Sequence, residues 1–262
     1  MKLITALIES LGSRAIRLIE FTGSIAILAW GAVWRMLMPP YSFRDVIMQI
    51  ELLGVNSLRI GLLTAAAVGS VLALQFAFGL AKFGAQDYVG PVVAVALLRE
   101  LAPVLTALIV GGRIGSGMAA ELGSMKVGEQ IDAIRALGAD PIKKLIVPRL
   151  AASILIMPLL TVLADLVGLL GASALSSAQF DIAPLFFYRS VLDIVDLSDL
   201  FSGLAKSVVF GFLVAIIGCY QGFNTSGGTQ GVGQSTTGTV ELISISVLVS
   251  DFFLTKLLMM II

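Results

Sequence analysis

Five apolar runs of membrane-spanning length dominate the sequence. The run from Ile60 to Ala81 contains no charged residue, and Arg59 and Lys82 bound it on either side. A helix needs about 20 mostly apolar residues to cross the hydrocarbon core of a bilayer. Four more runs reach that length and carry few charges: Tyr88–Gly112, Leu150–Leu175, Leu200–Phe223 and Val240–Ile262. Because a helix satisfies its own backbone in lipid, the sequence predicts an all-α polytopic membrane protein with five transmembrane helices.

Composition narrows the classes of function. Only 13% of the 262 residues are charged, whereas a soluble domain carries roughly 25%. The formal net charge is zero, so nothing indicates a nucleic-acid partner. The chain has no histidine, which removes the commonest general base and metal ligand, and its single cysteine is Cys219. We therefore expect no catalytic residues and no metal site, which argues against a hydrolase or a metalloenzyme.

The sequence also lacks a phosphate-binding loop for ATP. The pattern GxxxxGK[ST], whose backbone N–H groups cradle phosphates, occurs nowhere in the chain. We therefore expect no cofactor on this chain, and any ATP-Mg must be bound by a partner.

The first 20 residues predict an amphipathic helix. Apolar residues recur at helical spacing from Leu3 to Leu11, and charged residues interrupt the segment, so it lacks the apolar core of a secretory signal. One interpretation packs this helix on protein. The interpretation that we favour places it in the membrane interface, where Lys2, Arg14 and Arg17 suit anionic headgroups.

A second apolar run, from Phe21 to Trp34, is shorter than a span. Its two tryptophans suit an interfacial position, and Pro39-Pro40 is expected to end the helix. We interpret residues 1–40 as an interfacial or re-entrant helical element and residues 41–262 as the five-span domain. A true first span at residues 21–38 is the alternative.

The connections between the runs differ in character. Residues 82–87 predict a tight hairpin, and residues 113–149 are long, polar and helix-like. Residues 176–199 are acidic, with four aspartates and one arginine. Residues 224–239 are uncharged and rich in glycine and threonine, which predicts a loop with a short turn of helix.

Charge asymmetry between the connections predicts the topology. Segments 1–59, 113–149 and 224–239 together hold twelve lysines and arginines, against two in segments 82–87 and 176–199. Since cytoplasmic loops carry the excess of basic residues, we expect a cytoplasmic N-terminus and a C-terminus on the opposite side.

Arg99 and Glu100 lie in the middle of the second run. A charge at the bilayer centre costs roughly 2.5–3.5 kcal/mol, so each needs a partner. The other intramembrane charges are Asp165, Lys206, Asp251 and Lys256. We expect Glu100 to pair with Lys206 and Arg99 with Asp251. Such a cluster either fixes helix register or forms a polar wall that handles a charged headgroup, and the two roles are compatible.

The polar stretch after the second run predicts a short amphipathic helix. Apolar residues recur at helical spacing at Val127, Ile131, Ile134 and Leu137, and Gly138 with Asp140-Pro141 is expected to end the helix. It is either a surface helix at the bilayer or a coupling helix that inserts into a groove on a cytoplasmic ATPase.

The run LLRELAPVLTALIVGGRIGSGMAAELGSMKVGEQIDAIRALGADPIKKLIVPRLAA resembles the signature region of the MlaE family of ABC-transporter permeases. The likeness continues through LAKSVVFG at 204–211, QGVGQSTTGTV at 230–240 and SDFFLTKLL at 250–258. It covers the chain from about residue 50, and residues 1–49 more loosely.

The resemblance implies an assembly and a cargo. Such permeases are homodimers in bacterial inner membranes that work with a cytoplasmic ATPase, an MCE-domain periplasmic protein and often a STAS-domain protein. They move phospholipids between the inner and outer membranes, through a lipid cavity between the two permease copies. Residues 41–262 would then form the permease domain, with a cytoplasmic coupling helix between spans 2 and 3 and the C-terminus in the periplasm.

The resemblance also assigns residues to two sites. The lipid-binding residues that it implies are Leu72, Gln75, Phe76, Gly79, Leu80 and Phe83 at the cavity, with the charged residues Arg99, Glu100, Lys206 and Asp251. The ATPase-coupling residues that it implies are Glu121, Glu129, Gln130, Arg135, Asp140 and Pro141.

One departure from the family pattern stands out. Relatives often carry basic residues in the segment before the last span, where this chain has Gln234 and Gly238. Three other functions remain as alternatives: an ion-coupled secondary carrier, a non-transporting membrane scaffold and, with least support, a membrane enzyme.

Overall fold

The computed structural model describes residues 2–40 and 42–261, without the side chains of residues 2–11, 14, 15, 17, 18 and 261. All regular structure in this part of the chain is helical. The α-helices are α1 Lys2–Met36, α2 Phe43–Ile50, α3 Asn56–Ala81, α4 Val89–Ala96, α5 Ala102–Leu105, α6 Gly112–Val127, α7 Gln130–Ala136, α8 Val147–Phe180, α9 Pro184–Ile194, α10 Leu197–Phe223 and α11 Gly228–Ile261.

Five helical stretches are long and apolar enough to cross a membrane, which confirms the predicted all-α polytopic class. Spans 1 to 5 are Phe43–Ala81, Gln86–Val127, Ile142–Phe180, Leu197–Phe223 and Gly228–Met260. Each begins earlier or ends later than its apolar run, because the run marks only the part suited to hydrocarbon while the helix continues into polar sequence. The tight hairpin predicted at residues 82–87 is present between spans 1 and 2, with its turn at residues 82–85 and a short helical turn at Gln86–Tyr88.

Spans 1, 2 and 3 contain wide π-helical turns at Glu51–Val55, Leu97–Leu101, Thr106–Gly111 and Ile142–Ile146. Two of these turns have a local cause in the sequence. Pro103 and Pro148 each follow a π turn within two residues. Proline has no N–H to donate, and its ring clashes with the carbonyl four residues earlier, so the helix widens rather than breaks.

Glycines let the spans approach closely. A Cβ at Gly69 of α3 would lie 2.0 Å from the carbonyl oxygen of Gly168 in α8. A Cβ at Gly218 of α10 would lie 2.7 Å from the carbonyl oxygen of Gly115 in α6. Small residues at these crossings bring backbones into direct contact, which is how helices associate where lipid removes the hydrophobic driving force. Spans 1 and 3 and spans 2 and 4 are therefore tightly packed pairs.

Helix α1 is continuous from Lys2 to Met36, with no chain reversal of the kind that a re-entrant element needs. Its second half packs on the bundle: Ala32 is fully buried, and Phe21 meets Tyr220 edge-to-face with ring centroids 5.4 Å apart. The side chains that predicted an interfacial face, including Lys2, Arg14 and Arg17, lie outside the described residues. The position of α1 in or across the membrane stays a prediction.

The connection between spans 3 and 4 contains a helix that the sequence did not predict. α9 (Pro184–Ile194) occupies the middle of the acidic stretch and buries Phe187. A Cβ at Gly90 of α4 would lie 3.1 Å from the carbonyl oxygen of Phe187, so the absence of a side chain at Gly90 lets α9 dock. We call this end of the bundle the α9 end, and the opposite end, where α6 and α7 meet, the α7 end.

The prediction of a loop at residues 224–239 is wrong for most of that segment, because α11 begins at Gly228. Glycine and threonine are poor helix formers, and packing against α6 outweighs that propensity. The hydroxyls of Thr236 and Thr239 donate hydrogen bonds to carbonyls three or four residues earlier, so these polar groups are satisfied inside the helix. The same stretch packs on α6, where a Cβ at Gly112 would lie 3.6 Å from Val240.

Candidate lipid-handling and coupling sites

A charge cluster centred on Lys206 joins spans 2, 4 and 5. The Lys206 ammonium is fully buried and lies 2.5 Å from a Glu100 carboxylate oxygen. It also lies 3.2 Å from a carboxylate oxygen of Asp251, and it donates to the hydroxyl of Thr255 at 2.7 Å. The predicted pairing of Glu100 with Lys206 is confirmed. A buried ammonium needs such partners because burying an unpaired charge is costly.

The predicted pairing of Arg99 with Asp251 is wrong. Arg99 forms an ion pair with Asp199, whose side chain is buried. The other carboxylate oxygen of Asp199 accepts a hydrogen bond from the backbone N–H of Asp196 at 3.0 Å, which closes a capping box at the start of α10. The sequence had placed Asp199 in the connection, so it was not counted among the intramembrane charges.

The pairing with Asp199 also changes the depth at which Arg99 is expected to lie in the membrane. Asp199 lies in the first turn of α10, at the α9 end, whereas Lys206 lies seven residues further along the same helix. At 1.5 Å per residue this separates the two levels by about 10 Å. Arg99 therefore lies toward the α9 end of span 2 rather than at its centre, and Glu100 reaches toward the deeper level.

Two clefts open beside the cluster. A cleft of about 160 Å³ is lined by Arg99, Glu100, Ser198, Ser202, Thr255, Leu258 and Met259. A wider one of about 560 Å³ is lined by Glu100, Leu248, Asp251, Phe252, Thr255, Lys256, Met259 and Met260. The side chain of Glu100 is 37% exposed while that of Lys206 is 1% exposed. A ligand in either cleft would therefore meet the carboxylate first, with the ammonium behind it.

The six predicted cavity residues lie on two neighbouring faces of α3 and the turn that follows it. Leu72, Phe76 and Leu80 are half-buried and pack on an apolar cluster that includes Phe187 of α9. Gln75, Gly79 and Phe83 are exposed, and a Cβ at Gly79 would have open space around it. The half-buried face supports the α9 end, and the exposed face is available to another molecule.

A helix lies between spans 2 and 3, where the coupling helix is predicted, but it is shorter than the amphipathic pattern suggested. α6 continues to Val127, and α7 covers only Gln130–Ala136. Glu129 joins the two helices in the left-handed region, with φ of 58°. This conformation is uncommon for a residue other than glycine, and it turns α7 sharply away from α6.

The predicted coupling residues divide into two groups by exposure. Glu129, Gln130 and Arg135 are exposed on α7 and the turn before it. Arg135 donates to Asp132 at 3.3 Å, and Lys126 donates to the same carboxylate at 2.9 Å. The hydrogen bond from Lys126, with the charges of both basic residues, lowers the pKa of Asp132 despite some desolvation. α7 thus carries paired charges on an accessible surface, suited to contact with a partner protein.

The other coupling residues contact the rest of this chain. Asp140 forms an ion pair with Arg35 at the end of α1 and accepts from the backbone N–H of Ile142 at 2.9 Å. Burial alone would raise the pKa of Asp140, but these hydrogen bonds and the charge of Arg35 outweigh it and lower the pKa. Glu121 pairs with the buried Arg149 at 2.7 Å, and the neighbouring Pro141 is buried. These residues fix the connection between α7 and α8 in place.

Comparison with known proteins identifies the family. The family model for "Permease MlaE" matches residues 46–257. A probable ABC transporter permease protein of Synechocystis is 44% identical over 82% of each chain. A probable ABC transporter permease protein of Rickettsia felis is 37% identical over 95% of this chain and 96% of its own. The chain belongs to the MlaE permease family. A third relative, Protein TRIGALACTOSYLDIACYLGLYCEROL 1 of Arabidopsis thaliana, is 40% identical over 89% of this chain and 67% of its own.

Membership makes this protein a multi-pass ABC transporter permease, which implies an ATPase partner. Every residue predicted for lipid binding or coupling lies inside the matched region. Their individual roles stay predictions, since the structure shows their places and contacts rather than their ligands. Gln234 and Gly238 of this MlaE permease lie on the first turns of α11 and not in a loop.

Sequence reasoning missed four residues that complete these sites: Asp199, Thr255, Arg35 and Arg149. Asp199 carried a usable signal, because acidic residues at Asp196 and Asp199 before an apolar run have the spacing of a capping box. The other three pair across more than 25 positions of sequence, and no local pattern marks them.

Proposed function

We propose that this permease moves phospholipids between the inner and outer membranes of a bacterium. It acts as a homodimer in the inner membrane, with the lipid held in a cavity between the two copies. A cytoplasmic ATPase binds ATP-Mg and drives the cycle, an MCE-domain protein faces the periplasm, and a STAS-domain protein completes some assemblies. The N-terminus and α7 lie in the cytoplasm and the C-terminus lies in the periplasm.

The observation that carries the proposal is a charge cluster that opens into clefts with apolar walls. The wider cleft beside Glu100 and Asp251 is also lined by Leu248, Phe252 and Met260. An amphiphile needs both environments: burying each acyl CH₂ is worth about 0.8 kcal/mol, and a charged headgroup needs hydrogen-bonding partners. The exposed face of α3 at Phe83 offers further apolar surface at the same end of the bundle.

The relatives support a lipid cargo. The Arabidopsis relative is named for trigalactosyldiacylglycerol, a glycerolipid with two acyl chains. Its 40% identity extends over 233 of the 262 residues, so the likeness includes the α3 face, Glu100 and Lys206. A glycerolipid is the class of substrate that an apolar cleft beside buried charges suits.

The cavity proposal is tested by placing a charge on α3. We expect Phe76→Glu to reduce lipid transfer by the reconstituted complex at least about tenfold, because an acidic side chain desolvates poorly beside acyl chains. The matched control is Leu63→Glu, which puts the same charge at an exposed position between three and four turns earlier on the same helix. Lipid transfer is measured between vesicles, and co-purification of the ATPase checks assembly. Unchanged transfer in the assembled Phe76→Glu complex would count against the cavity.

The coupling proposal is tested at α7. We expect the double change Glu129→Ala with Arg135→Ala to leave lipid binding intact while transfer no longer follows ATP hydrolysis. Both side chains are exposed, so the fold should tolerate their loss. Lys144→Gln, also exposed but outside α7, is the control. Normal coupling in the double variant would remove α7 from the proposed path.

A further inference from the structure

A second amphiphilic cavity lies at the α7 end, away from the charge cluster. It has a volume of about 330 Å³ and is enclosed by the end of α1, the start of α2 and the first turns of span 3. Met36, Met38, Val46, Val147 and Leu155 form its apolar wall. This volume is near the lower limit of the 300–1,000 Å³ typical of ligand sites. The cavity therefore suits one alkyl chain rather than a whole two-chain lipid.

The mouth of this cavity is basic. Arg35 and Lys143 line it, and none of the described residues in its lining is acidic. Asp140 neutralises one of the two charges by pairing with Arg35, so the group keeps one net positive charge. The clefts near Lys206 differ, because Glu100 lines both and Asp251 lines the wider one.

Hydrogen-bonding capacity remains at the mouth. Lys143 donates to the carbonyl of Pro39 at 2.8 Å, and an ammonium group has three donors. Arg35 donates to Asp140 and, at 3.1 Å, to the carbonyl of Gly31, and a guanidinium has five donors. These contacts hold both side chains in position and leave N–H groups for a bound anion.

The cavity runs along span 3 in the way a lipid lies in one leaflet. Lys143 is the second residue of span 3, and Leu155 lies twelve positions further along the same span. At 1.5 Å per residue the two are about 18 Å apart along the helix axis. Half of a bilayer's hydrocarbon core is about 15 Å thick. A ligand with an anionic group at Lys143 and an alkyl chain reaching Leu155 would match both ends.

We propose that this cavity binds an anionic phospholipid from the leaflet at the α7 end, with its phosphate at Arg35 and Lys143 and one acyl chain against Met36, Val46 and Leu155. The site is separate from the transported lipid, and it needs neither the ATPase nor transport. Its occupant is a resident lipid that fills the space between α1 and span 3.

The fluorescence of the chain's two tryptophans can report on lipid near this site, although neither tryptophan lines the cavity. Trp30 and Trp34 lie on the last two turns of α1, beside Arg35, and both are exposed. The full chain is placed in phosphatidylcholine nanodiscs that contain increasing fractions of brominated-chain phosphatidylglycerol or, in a parallel series, brominated-chain phosphatidylcholine. We expect half-maximal quenching of tryptophan fluorescence at a several-fold lower fraction of the anionic lipid.

Variants separate a built site from general attraction to a basic surface. The preference is the ratio of the two lipid fractions at half-maximal quenching, phosphatidylcholine over phosphatidylglycerol. Lys143→Gln should bring this ratio close to one. Lys144 is an exposed neighbour outside the lining, so Lys144→Gln should leave the ratio unchanged. Ala151→Leu fills the cavity without changing charge and should also remove the preference. Equal quenching by both lipids in the unaltered chain would overturn the proposal. So would equal losses in Lys143→Gln and Lys144→Gln, or a preference that survives Ala151→Leu.

Discussion

The two ends of the bundle use charge in different ways. In the half of the bundle nearer the α9 end, the ammonium of Lys206 is buried between Glu100 and Asp251 and joins three spans. At the α7 end, the acids Asp132 and Asp140 form ion pairs on the surface, each about half exposed. The buried cluster holds helices together across the membrane, whereas the surface pairs set the course of a connecting segment.

The difference follows from solvent. Removing one partner of a buried pair leaves a charge that water cannot reach, at a cost of about 3–5 kcal/mol. The charges of an exposed pair are solvated by water when they do not pair, so the pair contributes only about 0–1 kcal/mol to stability. Stability should therefore depend more on the buried cluster, and α7, whose ion pairs are exposed, can respond to a partner at small cost.

The largest expected effect is at Lys206. Lys206→Met leaves Glu100 and Asp251 facing each other without a cation, and we expect a loss of about 3 kcal/mol in unfolding free energy, since both acids keep some exposure. Thermal or denaturant unfolding in lipid-detergent micelles measures it. Lys256→Met, which removes an exposed lysine from the same cleft, is the control. Equal small losses in both variants would erase the contrast between the two ends.

Glu121 and Arg149 test the comparison from within the α7 end, because only one of the two is buried. The Arg149 side chain is 5% exposed and that of Glu121 is 48% exposed. Glu121→Gln leaves the buried guanidinium of Arg149, which cannot lose its proton, without a charged partner. We expect this to lower the unfolding free energy by about 2 kcal/mol. Arg149→Met leaves a carboxylate that water can reach, and we expect about half that cost. The unfolding free energies of the two variants are measured under the same conditions. A larger loss in Arg149→Met than in Glu121→Gln would refute the argument from burial.

The partner of Arg99 can be measured by double-mutant cycles. We expect a coupling energy of about 1 kcal/mol between Arg99→Gln and Asp199→Asn, because the two side chains form an ion pair with one buried member. The cycle of Arg99→Gln with Asp251→Asn should give less than about 0.5 kcal/mol, since Asp251 pairs with Lys206 instead. Strong coupling in the second cycle would restore the pairing expected from sequence.

The smallest effect is the pH response of Asp140. Its pKa is lowered in the folded chain, so its contribution is present above the ordinary value of 3.8 and is lost as pH falls through the lower folded value. Between pH 5 and 8 we expect no change in the protection of the amides of residues 137–140, measured relative to the intrinsic exchange rate at each pH, followed by weaker protection below about pH 4. Asp140→Asn should lower the opening free energy of these amides between pH 5 and 8 by less than about 1 kcal/mol, and this difference from the unaltered chain should vanish once Asp140 is protonated. A transition near neutral pH would contradict the Arg35 pairing.

Much of the fold could be predicted from the sequence because the bilayer imposes a length and a polarity on each span. The five spans follow from apolar runs, and the Glu100–Lys206 pair follows from the small supply of buried charges. The residues alone left the short helix after span 2 between a surface role and a coupling role, and the assignment of individual lipid-facing and coupling residues came from the resemblance to the family.

The remaining features depend on where helices begin and what packs beside them. Asp199 was missed as a partner of Arg99 because α10 begins at Leu197, three residues before the apolar run. The stretch after Gly228 was predicted as a loop because its helix depends on contact with α6 rather than on propensity. Arg35 and Asp140 meet only after α1 docks, and nothing local indicates it.

The wide π turns have a consequence for how this family can vary in length. Each turn at Leu97–Leu101 and Thr106–Gly111 accommodates a surplus residue relative to a regular α-helical turn. Deleting one residue there would convert a wide turn into an ordinary one, with the helices on both sides kept intact. Single-residue insertions and deletions among related chains should therefore concentrate at these two places in span 2 and be rare where α6 meets α10.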